Sequence, residues 1–274
     1  MKTAKTLLFA AIAALFLSSC GEEVVKPHDI EYTKDSVDFD KQIAIDLISV
    51  NFPSPSSMGK KFSGAGLSYN KSLLNSTGKS YSTKAEQSLG LGVYGADLGF
   101  ACSFNQSQDA LAYLGSIGKL SEQVGVASAF DMEFNKQLIA SLGKADSQDI
   151  MIDKAYKKAE RHMRSNERMA NAAMMVLGGW VEGLYITTEM VFAKKDDPKT
   201  KGLYIEVWNY VSAYQHVRKL LDEYKGNADF KNFEDAFKEA ETTLRNVAYN
   251  TTFGPKDIDP LRTAVQTLRS KLVK

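Results

Sequence analysis

The chain has 274 residues, with 34 Lys+Arg against 33 Asp+Glu, 44% hydrophobic and 10% aromatic residues, six Pro and two Cys. That is enough apolar material for the core of one large domain or two small ones. Near-balanced charge argues against a protein that binds nucleic acid by neutralising phosphates. The composition is not that of a disordered, collagen-like or disulfide-stapled chain.

Lys2 and Lys5 open the chain, and residues 6–17 are apolar or threonine. A run of about a dozen residues cannot cross a hydrocarbon core of about 30 Å, but it suits the centre of a secretory signal. Leu17-Ser18-Ser19-Cys20 follows and resembles the lipobox of bacterial lipoproteins. That resemblance implies a signal peptide over residues 1–19, with Cys20 as first mature residue, diacylglycerylated at sulfur and acylated on its new amino group. Several acyl chains hold a protein stably at a membrane, where one binds only marginally. Gly21 rather than Asp at the next position favours the outer membrane; Glu22-Glu23 resembles a short acidic surface-export signal and leaves the membrane face open. Without residues 1–19 the chain carries 32 basic and 33 acidic residues. Acylation of Cys20 leaves Cys102 without an internal partner, so it is expected to behave as a small buried hydrophobe.

In chain order, residues 20–34 read as the lipidated cysteine and a polar tether, and residues 35–274 as one all-helical domain. Residues 36–49 predict a helix capped by Asp35 or Ser36, with Val37, Phe39, Ile43, Ile45, Leu47 and Ile48 as its apolar positions. Pro53 and Pro55 stop it, since the residue before a proline disfavours helix. Residues 58–80 are rich in Gly, Ser and Asn and predict short turns and loops. Residues 81–120 predict a helix with a bend near Ser103-Phe104-Asn105. Further helices are expected over 131–142, from Asp146 or Ser147 to 163, and over 165–193, 200–224, 229–249 and 259–273. Asp259-Pro260 supplies an N-cap with proline at the first helical position. No hairpin signal and no fixed repeat interrupt this pattern. The expectation is all-α, a single bundle of about eight or nine helices.

Two stretches are nearly chargeless. Residues 88–104 carry only Asp97, and residues 169–193 carry only Glu182 and Glu189. A helix apolar nearly all round is either a membrane span or the centre of a bundle, and the interrupting acids favour the bundle. Gly95 and Gly99, like Gly179 and Gly183, are spaced to share a helix face. Interior glycines cost about 0.5–1 kcal/mol each relative to Ala, which points to a packing need and to these two helices lying against each other.

Asp97 and Glu182 are the candidate polar centre. In an unbroken helix Asp97, Ala101 and Gln108 fall within about 40° of one another, and Gly178, Glu182, Tyr185 and Glu189 form one stripe. Buried carboxylates need partners; Tyr94, Asn105, Gln108, Trp180 and Tyr185 are candidates. Two readings stay open. In one, Asp97 and Glu182 face each other across a ligand pocket or metal site with Asn105, Gln108, Trp180 and Tyr185 around it. In the other, they belong to a polar network that fixes helix register, or accept bonds from the backbone amides of a loop.

Catalytic signatures are absent from the sequence. His28, His162 and His216 make no H-E-x-x-H pair, and no G-x-S-x-G elbow or phosphate loop occurs. Gly90, Gly92 and Gly95 spell G-x-G-x-x-G inside a helical pattern with no strand before it, an accidental match. Two carboxylates without a supporting His do not make a metal site of the di-iron type. No cofactor or catalytic residue is expected. Arg161, Arg164 and Arg168 have helical spacing and could attract an anion or lipid headgroup, though a solvated face is the simpler reading.

Three segments carry a family resemblance: Phe52-Pro53-Ser54-Pro55; Leu91-Gly92-Val93-Tyr94-Gly95-Ala96-Asp97-Leu98-Gly99 continuing to Phe104-Asn105-Gln106; and Gly178-Gly179-Trp180-Val181-Glu182-Gly183-Leu184-Tyr185. Over residues 40–193 the chain resembles a family of all-helical lipoproteins of the Bacteroidota with no established function. Family members often carry an acid before the methionine that follows Pro-Ser-Pro, where this chain has Ser57. The resemblance implies a helical lipoprotein and no particular activity. The expectation is a membrane-anchored, non-enzymatic module binding an envelope protein or small ligand. A metal-dependent enzyme or hydrolase using Asp97 and Glu182, or a purely structural envelope protein, are the alternatives.

Overall fold

A computed structural model describes residues 39–50, 55–141, 144–165 and 168–273, all within one compact unit. The expected signal segment, Cys20 and the whole of the expected tether lie outside the described residues. Eleven α-helices and no strand occur among them: α1 Phe39–Ser49, α2 Pro55–Gly64, α3 Lys84–Ser103, α4 Ser107–Gln123, α5 Met132–Ala140, α6 Ala145–Ser165, α7 Met169–Phe192, α8 Tyr204–Ser212, α9 Tyr214–Glu223, α10 Ala228–Ala248 and α11 Ile258–Leu272. Three 3-10 turns, Lys71–Leu73, Ala127–Ala129 and Pro198–Leu203, join them. The all-helical expectation holds. The larger number of helices has three local causes.

First, Pro55 does not only stop one helix; it opens α2, at a position where its missing N–H costs nothing. Second, the expected bend near residue 104 is a full break. Asn105 adopts φ +57°, and the amides of Asn105 and Gln106 turn back to the carbonyls of Cys102 and Ala101. This is a left-handed helix end, a conformation Asn tolerates better than most residues. Third, residues 200–224 divide at Ala213. The indole Nε1 of Trp180 donates to the Tyr210 carbonyl at 2.8 Å, the carbonyl that residue 214 would take in a continuous helix. A side chain inserted into the ladder is a known cause of a kink.

α7 is the axis. It packs against α3, α11, α1, α8 and α6, and it is buried over most of its length. α3 adds α4, α2 and α6 to its contact with α7, while α10 pairs with α11 and α9 with α1. No described helix is long and apolar enough to cross a membrane.

The expected contact between the two chargeless helices is present, and Gly179 takes part in it, but together with Gly92 and Gly178 rather than Gly95. A Cβ on Gly92 would overlap the Met175 carbonyl and lie 2.7 Å from the Gly179 nitrogen, and one on Gly178 would lie 2.9 Å from the Leu89 carbonyl carbon. Gly95 instead faces Tyr156 of α6, which crosses it and donates to the Leu91 carbonyl at 2.9 Å. Gly183 faces Tyr210 of α8. Four-residue spacing defines a stripe but not which neighbour covers it. The backbones therefore predict opposite outcomes for two sets of alanine substitutions. Gly92→Ala and Gly178→Ala each lower stability by about 2 kcal/mol or more through overpacking. Gly115→Ala and Gly118→Ala on α4, where a Cβ meets open space, raise it by about 0.5–1 kcal/mol. Denaturant unfolding of the four variants measures both.

Candidate functional site: a buried carboxylate cluster beneath a loop

Asp97 and Glu182 are both fully buried. Glu182 lies on the stripe of α7 that faces α11, and Arg269 of α11 meets it with two parallel bonds, Nε to Oε2 and Nη2 to Oε1, each 2.8 Å. The same guanidinium stacks 4.1 Å from the centre of the Tyr185 ring and donates to the Leu73 carbonyl at 3.3 Å. One heptad along, Arg262 and Gln266 clasp Glu189, with Arg262 Nε at 2.9 Å and Gln266 Nε2 at 2.7 Å. The two ion pairs run antiparallel, fixing the register of α11 on α7. Burial lowers the pKa of Arg269, but the bonds from Glu182 outweigh it and leave the pKa raised.

Asp97 projects from α3 toward the loop between α2 and α3. Its Oδ2 accepts from the Asn75 backbone amide at 3.3 Å and from Asn75 Nδ2 at 3.1 Å. Its Oδ1 has no hydrogen-bond partner among the described residues. Two buried tyrosines and the partly buried Arg269 grip the same loop by its carbonyls: Arg269 at Leu73, Tyr113 at Asn75 (2.8 Å) and Tyr94 at Ser76 (2.9 Å). The Gly78 amide donates to Ser116 Oγ at 3.3 Å. A loop tucked into a protein must find partners for its backbone groups. Here helices α3, α4 and α11 supply them.

The electrostatics of Asp97 follow from this burial. Loss of water, first, and the nearby Glu182 carboxylate, second, push its pKa well above the ordinary aspartate value; the Asn75 bonds and Arg269 pull the other way without reversing the shift. Tyr113 and Tyr156, which both feel the Asp97 charge, are raised mainly by burial.

The structure brings Asp97, Glu182 and, through Arg269, Tyr185 into one cluster. It separates the other expected members. Asn105 and Gln108 sit exposed at the α3–α4 corner, because the helix that would have aligned Gln108 with Asp97 ends at Ser103. Trp180 leaves α7 on another side, where its ring lies 6.2 Å from Phe237 and its nitrogen locks the α8–α9 break. The arginine series also divides. Arg164 pairs with Asp46 at 2.6 Å and with Glu160, Arg168 donates to the Val124 carbonyl at 2.5 Å, and Arg161 stays exposed. Asn75, Arg262, Gln266 and Arg269 went unforeseen. For the arginines a signal existed: Glu182 and Glu189 are seven residues apart, as are Arg262 and Arg269.

Among the described residues no group of three or more His, Cys, Asp or Glu is placed to hold a metal ion. Cys102 is buried, and His28 lies outside the described residues. An open recess of about 640 Å³ between Ser63, Leu67, Tyr69, Phe104 and Gln106 and a groove of about 300 Å³ beside Tyr81, Glu86 and Asp229 both stop short of Asp97 and Glu182. No protein-family model, curated protein or solved structure matches the chain.

The raised pKa of Asp97 makes a signed prediction. Unfolded, the carboxyl titrates near 3.8; folded, it keeps its proton to higher pH. The stability this gives is complete below pH about 4 and is lost as pH rises toward the folded value, by about 1.4 kcal/mol per pH unit. Asp97→Asn, which cannot titrate, should gain stability relative to the parent over the range above about pH 4. Denaturant unfolding across that range reads it.

Proposed function

We propose that the chain is a lipid-anchored envelope protein that works as a non-enzymatic interaction module, with its buried polar cluster serving as scaffold. The observation that carries this reading is the commitment of the interior carboxylates. Glu182 and Glu189 are each held by an arginine of α11, and Asp97 accepts from both amide groups of Asn75. An enzyme of this cluster would need its acids open to substrate and within hydrogen-bond reach of the reacting proton. Instead they tie one loop and one helix to the core.

The address rests on Leu17-Ser18-Ser19-Cys20 and Gly21. Acyl chains on Cys20 would place the helical body at the outer membrane and leave its surface for contacts with an envelope protein or small ligand. Growth with labelled palmitate tests this in a Gram-negative host. The full-length chain should incorporate label and fractionate with the outer membrane, and Cys20→Ala should abolish both. Incorporation that persists in Cys20→Ala, or no incorporation in the parent, contradicts the reading.

A further inference from the structure

The α5–α6 hairpin carries two exposed stripes with an unusual composition. On α5, Leu138 is fully buried and Phe134 packs on Phe130 at 5.7 Å. This turns Met132, Lys136 and Ile139, spaced i, i+4, i+7, outward. Met132 is 75% and Ile139 46% exposed. On α6, Ile152, Ala155, Ala159 and Met163 form the buried side. Ile150, Lys154, Lys157 and Arg161, at i, i+4, i+7 and i+11, form an exposed one. Ile150 is 55% exposed. The two stripes together hold three apolar side chains and four cations, one of which, Lys157, is paired with the neighbouring Asp153.

The acids beside them have other work. Asp131 caps α5 and lies 3.8 Å from Lys158, Glu133 accepts from Gln137 at 2.6 Å, and Asp153 pairs with Lys157 at 3.0 Å. Glu160 is turned inward to Arg164.

We infer that this hairpin is an interfacial element that docks on an anionic lipid surface. Exposed Met and Ile set among Lys and Arg match what such a surface takes. Apolar side chains enter the headgroup boundary while long cationic ones reach phosphates. The charge is of the complementary sign, where an acidic or neutral face would be repelled or indifferent. The basic end of the α6 stripe also lies beside the helix that the tether reaches first, since Arg164 grips Asp46 of α1 at 2.6 Å. The inference adds a second membrane contact to the lipid anchor proposed above. An anchored chain needs only a weak docking element, because its local concentration at the bilayer is already high.

The test uses the mature chain carrying Met132→Trp, mixed with vesicles of phosphatidylcholine alone or with phosphatidylglycerol, some with brominated acyl chains. Docking predicts a blue-shifted, bromine-quenched emission from the new indole in anionic vesicles only. The signal should be lost in molar salt and when Lys154→Glu, Lys157→Glu and Arg161→Glu are combined. These exposed changes leave the circular dichroism of the helices as a check on folding. Flotation separates the two membrane contacts. A chain that floats with both lipids but shows no anionic shift keeps the anchor and overturns the docking. Flotation and shift with anionic vesicles alone keep the docking and overturn the anchor. Flotation with neither overturns both, and an equal shift in both lipids overturns the charge-based docking.

Discussion

Glu182 is a full charge with no exposure to water, in the middle of the most buried helix of the fold. Taking such a group out of water costs several kcal/mol, and only a well-placed partner with good geometry offsets it. Arg269 is that partner, and its demands shape much of the molecule. Its fork must lie along Glu182, which sets the register of α11; the Arg262–Glu189 pair one heptad away repeats the constraint. The same Nη2 also reaches the Leu73 carbonyl and so draws the α2–α3 loop over the core. Removing the arginine alone would leave a buried charge uncompensated, at a cost of about 3–5 kcal/mol.

The rest of the centre obeys a steric rule. α3 and α7 touch backbone to backbone at Gly92 and Gly178, leaving no room there for any side chain. Close approach increases the number of dispersion contacts between the two helices. It also leaves Asp97 with few options for a partner. The carboxyl points at the loop, accepts from the backbone amide and Nδ2 of Asn75, and has its pKa raised because burial and Glu182 disfavour its charge. Ion pair, loop and carboxyl therefore form one connected arrangement.

Much of this was legible in the sequence. The chargeless runs around Asp97 and Glu182 marked the central pair of helices, and a buried helix has few other ways to look. The expectation that a carboxylate would accept from a loop amide named the kind of bond that Asp97 makes with Asn75. What stayed hidden depends on contacts between distant segments. No local signal tells that Tyr156 covers Gly95, or that the Trp180 indole will take the Tyr210 carbonyl and break a helix thirty residues away. In the sequence Pro55 and Asn105 signal an interruption, while in the fold Pro55 opens the next helix and Asn105 forms the left-handed turn that ends one. The matched seven-residue spacing of two glutamates and two arginines was visible. It points to a partner only once the two helices are known to run antiparallel.

Amide hydrogen exchange at Asn75 and Gly78 tests the central claim most directly, namely that the loop is clamped as firmly as the core. If Arg269, Asp97, Tyr113, Tyr94 and Ser116 hold it as described, both amides exchange as slowly as those in the middle of α7, through global unfolding. Exchange at rates typical of a solvent-exposed loop, with α7 still protected, would show that the buried cluster does not anchor the loop and would contradict the account.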